Sequence, residues 1–236
     1  MDEERAVAPK VNLPLLAAEF AGLFMVFAAA LFLAAGTLAW LAGWLFLLLF
    51  FGLSIVLSLW LLRYNPALLR ERMTGIGKAD QKAWDKALFA LLQLLFLTWL
   101  VVMPLDAVRF HWSRMPGWLQ VTGAAGLVGS FYLFYLVFRE NAYLSPAVRV
   151  QRERGQTVVS TGPYHHVRHP MYATAIIFIA SAALLLGSWY GLLIGFIIVL
   201  LIARRAVLEE QTLREELPDY AAYMQQVRYR LVPHVW

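Results

Sequence analysis

The chain has no cysteine in its 236 residues. Disulfides, thiolate metal sites and cysteine nucleophiles are therefore excluded. Charge is also scarce: 15% of residues are charged and 61% are hydrophobic. A soluble domain carries nearer to a quarter charged residues. What is there instead is a series of long apolar runs. About 20 apolar residues in a helix cross a hydrocarbon core of about 30 Å, so the composition predicts an all-α integral membrane protein. The opening stretch MDEERAVAPK is mixed in charge. The apolar run behind it is too long for the core of a signal peptide, so no cleavable leader is expected. A net charge of +5 raises the question of nucleic acid. The basic residues flank apolar runs, where membrane topology already accounts for them, and no nucleic-acid partner is expected.

Six apolar segments stand out: 15–35, 38–62, 87–105, 118–138, 171–186 and 189–203. The last two are short, and only GSWYG separates them. They read as a tight helical hairpin, able to span only with little tilt or with local thinning. Lys and Arg divide unevenly. The arm with Arg5 and Lys10, the loop from Arg63 to Lys86, residues 139–170 and the tail from Arg204 together hold eighteen of them. The alternate connections hold two, Arg109 and Arg114. By the positive-inside rule both termini face the cytoplasm, which six spans allow. The expected architecture is one membrane domain, with N-terminal helices and a loop over 1–110 and a core over 118–236.

The densest polar cluster, GPYHHVRHPMY (162–172), sits directly before the fifth segment. Proline suits the first position of a helix, so Pro170 marks the start and His169 its cap. Free N–H groups of that first turn, with Arg168 and His169, can form an anion site. The plainer reading is a helix start with a snorkelling arginine, and these three residues alone favour it. His165, His166 and His169 suggest a metal, but no Asp, Glu or Cys completes a ligand set within the stretch. In the tail, Arg205 and Glu209 share a helix face. Charge at the edge of an apolar helix is costly and often functional. Leu213, Leu217, Tyr220, Tyr223 and Val227 recur at spacings of three and four. They mark an amphipathic cytoplasmic helix, interrupted at Pro218, that lies either on the lipid surface or over a pocket as a lid.

The order VQRERGQTVVSTGPYHHVRHPMY, apolar hairpin, RAVLEEQTLREELPDYAAYMQQVRYRLVP resembles the isoprenylcysteine carboxyl methyltransferase family of membrane enzymes. The match runs over roughly residues 140–236. The family often has Phe-Gly before its first tail tyrosine, where this chain has the shorter ELPDY. The resemblance implies methyl transfer from S-adenosylmethionine, with S-adenosylhomocysteine as product. The acceptor it implies is lipophilic, a small molecule or a lipidated chain drawn from the membrane, and first of all a carboxylate. It implies that Gln151 contacts the cofactor and that Gln156, Thr157, Val158 and Val159 line the pocket through their backbone. Tyr164, His169, Pro170, Met171, Tyr172 and Glu209 would complete the cofactor site. Arg205 would meet the acceptor. The resemblance gives no role to the loop 63–86 or to the first two helices.

Other chemistries remain open on the same residues. An amine or thiol methyltransferase would need a base for an amine acceptor, for which His165, His166 or Glu210 could serve. A sterol-type membrane reductase shares an Arg-His-Pro-x-Tyr element but uses NADPH. A lipid-binding bundle with interfacial charges would bind no nucleotide.

Overall fold

The computed structural model describes residues 11–74, 77 and 81–236. Arg5, Lys10 and Lys78, counted in the charge bias, lie outside the described residues. Five helices are long and apolar enough to span a membrane: α1 (Leu13–Ala35), α2 (Leu41–Tyr64), α4 (Ala83–Pro104), α5 (Gly117–Glu140) and α7 (Trp189–Glu216). The shorter α6 (Pro170–Leu186) is apolar throughout and turns directly into α7. Two short helices, α3 (Pro66–Thr74) and α8 (Tyr220–Gln226), complete the set, and the described residues contain no strand. The chain is therefore an all-α, multi-pass membrane protein. The sixth apolar segment is much longer than its hydropathy indicates. α7 runs on to Glu216, because the polar residues after Ala203 are good helix formers and find partners in the protein.

An aromatic ladder fills the bundle. Phe27 stacks on Phe50, and Phe50, Phe131 and Phe178 make edge-on and tilted ring contacts, geometries that aromatic quadrupoles favour. α5 and α6 approach most closely. A Cβ at Gly123 would lie 2.6 Å from the Ser181 carbonyl oxygen, so only glycine fits there. Small residues permit this backbone approach where lipid supplies no hydrophobic drive.

The end holding the α6–α7 turn is fixed by one buried carboxylate. Asp106 Oδ2 accepts from Ser113 Oγ at 2.6 Å, Ser188 Oγ at 2.6 Å and the Tyr190 N–H at 3.3 Å. Asp106 sits in a π-helical turn, Leu105–Arg109, that follows Pro104. Proline interrupts helical hydrogen bonding, and the wider turn aims the carboxylate inward. The opposite end carries the polar clusters of the sequence.

Candidate active site

At that opposite end the loop 141–169, the start of α6, the last turns of α7 and α8 enclose a cavity. Pro170 opens α6 and His169 stands at its N-cap without a side-chain cap. The N–H groups of Met171 and Tyr172 donate to no protein acceptor among the described residues. These orphan donors carry the positive end of the helix dipole. Residues 157–159 also line the cavity, outside regular secondary structure, and among the described residues their backbone N–H groups have no protein acceptor.

Ten of the predicted cofactor residues line this cavity: Gln156, Thr157, Val158, Val159, Tyr164, His169, Pro170, Met171, Tyr172 and Glu209. Glu209 accepts from Tyr172 Oη at 2.6 Å, and the His169 ring stacks on Tyr172 with centroids 5.5 Å apart. Gln151 is the exception. It is fully buried outside the cavity wall, where it donates to the Tyr143 carbonyl and accepts from Arg154 Nη1 at 2.6 Å. Its backbone N–H donates to Gln156 Oε1 at 2.7 Å. These bonds close the loop on itself.

Arg168 also differs from the expected anion donor. Its Nε donates to Glu210 Oε1 at 2.6 Å, and Nη1 donates to the Val227 and Arg228 carbonyls at 2.7 and 2.8 Å. The backbone N–H groups of Arg168 and His169 donate to the Tyr229 and Arg230 carbonyls, both at 2.9 Å. Arg168 therefore fastens the tail to the start of α6. Glu210 is the hub of this joint, with His169 Nε2 at 3.3 Å and Arg230 Nε donating at 2.8 Å as well.

Arg205 reaches the cavity wall and is held there by two hydrogen bonds. Nε donates to Asp85 Oδ1 at 2.8 Å and Nη2 to the Pro146 carbonyl at 2.6 Å. This pairing fixes the guanidinium at the wall, and its Nη1 makes no hydrogen bond among the described residues. Asp85 Oδ2 in turn accepts from the Val148 N–H at 2.9 Å and Gln81 Nε2 at 2.8 Å.

The sequence reading missed the buried carboxylates that hold this wall. The loop from Arg63 to Lys86 supplies two buried carboxylates, Asp85 and Glu71. Glu71 Oε1 accepts from Arg149 Nη2 at 3.1 Å and from Ser145 Oγ at 2.8 Å. Together they clamp residues 145–149, part of the cavity wall. One signal pointed there: acidic residues beside a membrane-length apolar run are costly unless they are paired.

The tail forms a lid. Leu217, Tyr220, Tyr223 and Val227 are buried together against Val150, Val158 and Leu213. Tyr223 Oη donates to the Tyr164 carbonyl at 2.7 Å. Leu217 caps α7, and Pro218 follows as the sequence predicts. The amphipathic face thus turns to the protein instead of the lipid. Burial raises the phenol pKa values of Tyr164, Tyr220 and Tyr223, so all three are neutral around pH 7.

A second cavity, of about 310 Å³, runs beside the first. It is apolar, lined by α2, α3, α5 and α6, and shares Met171 with the polar cavity.

Membrane-length helices that close on a lidded polar cavity at one end define a multi-pass protein with an interfacial site. Residues 118–219 match the phospholipid methyltransferase family. The segment from α5 through the end of α7 is thus similar to the integral membrane methyltransferases of this type, in agreement with the resemblance read from the sequence. No curated protein matches the chain.

Proposed function

We propose that the protein methylates a lipophilic acceptor at the cytoplasmic membrane face, using S-adenosylmethionine, and that the acceptor group is an isoprenylcysteine-type carboxylate. One observation carries this reading: the polar cavity and the apolar cavity meet at Met171. A water-soluble donor and a membrane-soluble acceptor have to meet at such a boundary.

The residues of the polar cavity fit the donor's chemistry. The free N–H groups of Met171 and Tyr172, with His169 beside them, suit a carboxylate. The unpaired backbone edge at 157–159 suits an adenine, and Glu209 suits ribose hydroxyls or offsets positive charge. When bound, S-adenosylmethionine supplies an electrophilic methyl group on a sulfonium. The chain's own task is to orient the partners and exclude water, for which the lid of Tyr220 and Tyr223 is suited.

A carboxylate acceptor is ionised at neutral pH and gives up no proton. An amine head, as in a phospholipid acceptor, would need a base. Two of the candidates for that base, His165 and His166, do not line the polar cavity. The third, Glu210, is committed to Arg168, His169 and Arg230. This favours the carboxylate. The excess of Lys and Arg on alternate connections supports cytoplasmic termini and a cytoplasmic site.

The test is calorimetric titration of the purified protein in detergent with S-adenosylhomocysteine, and separately with NADPH. Saturable binding of S-adenosylhomocysteine alone is expected. Binding of NADPH alone would replace methyl transfer with reduction.

A further inference from the structure

The apolar cavity follows the membrane-embedded helices. Phe50, Ser54, Leu57, Ser58 and Leu61 line it from successive turns of α2, a path of about 16 Å at 1.5 Å per residue. Phe131, Phe134 and Phe138 of α5 face them, with Phe178 and Met171 of α6. A channel of this shape suits one extended hydrocarbon chain.

Its end at Met171 carries one charge. Arg72 of α3 lines the cavity, half-buried. Its guanidinium carbon stands 4.7 Å from the centre of the Phe138 ring, and Nη1 lies 4.0 Å from Met171 Sδ. No carboxylate or carbonyl accepts from Arg72 among the described residues. Burial lowers its pKa to about 10, so it still carries its charge at pH 7. Every other buried arginine of this end is matched: Arg149 by Glu71, Arg168 by Glu210 and Arg205 by Asp85. A cation in apolar surroundings costs free energy unless an anion joins it.

We infer that the apolar cavity holds the hydrocarbon chain of an anionic amphiphile, whose head pairs with Arg72 at the edge of the methyl-donor site. Calling this molecule the acceptor rests on the methyltransferase reading; its binding does not. Arg72 lies outside the segment that matches the family, so the match assigns it no role. Arginine suits this anchor because its planar fork meets a carboxylate or phosphate with two parallel hydrogen bonds.

The experiment measures binding of dodecanoate, dodecyl phosphate and dodecanol to the protein in a neutral maltoside detergent. Wild-type protein should prefer at least one of the two anions to the alcohol by about tenfold or more, since charge-assisted hydrogen bonds contribute about 1.5–3 kcal/mol. Preference for dodecanoate assigns a carboxylate head, and preference for dodecyl phosphate assigns a lipid phosphate. Arg72→Gln should remove the preference for the anion and leave dodecanol binding in place. Arg72→Lys should retain much of it. Equal binding of anions and alcohol by wild-type protein overturns the inference, as does an Arg72→Gln variant that keeps the preference. S-adenosylhomocysteine titrated into the same samples tests the donor site independently, so failure of one reading is distinguishable from failure of the other.

Discussion

Arg205 Nε donates to Asp85 Oδ1 at 2.8 Å across a buried contact between α7 and α4. The two residues are 120 positions apart. Asp85 also holds the Val148 N–H, so one carboxylate fastens the last long helix to the cavity loop. Removing one partner of a buried pair leaves an uncompensated charge, at a cost of about 3–5 kcal/mol. Asp85→Ala and Arg205→Ala should each lower the thermal midpoint in detergent markedly. The double replacement Asp85→Leu with Arg205→Met should recover stability and still turn over slowly, because the wall of the site has lost its cation. Full activity in the stable double variant would remove Arg205 from any part in methyl transfer.

Glu209 and Tyr172 test the donor site. Tyr172 Oη donates to Glu209 Oε2 at 2.6 Å, which orients the carboxylate at the cavity wall. Glu209→Gln should raise the dissociation constant for S-adenosylhomocysteine by about tenfold or more, the range expected of a lost charge-assisted bond. His169→Ala should weaken binding in the same direction. Tyr172→Phe keeps the carboxylate and loses only its orientation, so its effect should be smaller. Unchanged affinity in Glu209→Gln would exclude this carboxylate from ligand contact.

The spans, the α6–α7 hairpin and most of the cavity lining were legible because each has a local cause. Apolar length marks a helix in lipid, Pro170 marks a start, and Pro218 marks a stop. The length of α7 beyond Ala203 was harder to see, since hydropathy falls there while helix propensity does not. What stayed hidden depends on partners distant in sequence. Nothing near Arg205 points to Asp85, and nothing near Arg168 shows that Glu210 and the Val227 carbonyl will occupy it. Gln151 illustrates the same limit. The motif gives it a cofactor contact, but the fold buries it outside the cavity wall, against the Tyr143 carbonyl and Arg154.

Gly162 tests the loop that carries the site. Its φ of +57° is in the left-handed region, and an added Cβ would stand 2.5 Å from Glu140 Cγ at the end of α5. Glu140 itself accepts from Thr161 Oγ1 at 2.8 Å. Gly162→Ala should therefore cost about 1–3 kcal/mol from backbone strain and displace Glu140. Thermal unfolding in detergent measures the loss, and Gly155→Ala serves as comparison. Gly155 also has positive φ, at +61°, but its Cβ would meet nothing within 4 Å, so its loss should be smaller. Equal losses at the two positions would mean that the contact with Glu140 contributes nothing.

The lid should loosen in alkali. Burial is the main cause that raises the phenol pKa of Tyr220, followed by repulsion from the Glu210 and Glu209 carboxylates. Burial likewise raises Tyr223, partly offset by Arg168. In the unfolded chain a phenol ionises near pH 10. Above that pH the unfolded state binds fewer protons than the folded one, so stability falls as pH rises. The phenols' contribution is complete below about pH 10 and is lost on the way up to their raised folded values. Tyr220 Oη has no hydrogen-bond partner among the described residues, so Tyr220→Phe should leave stability at neutral pH nearly unchanged and flatten the alkaline decline. Tyr223→Phe should flatten it too, but should cost about 1 kcal/mol at neutral pH because it gives up the bond to the Tyr164 carbonyl. Thermal midpoints of the three proteins between about pH 7 and about pH 11 separate these effects. If both variants follow the wild-type slope, alkaline loss begins at groups other than the lid phenols.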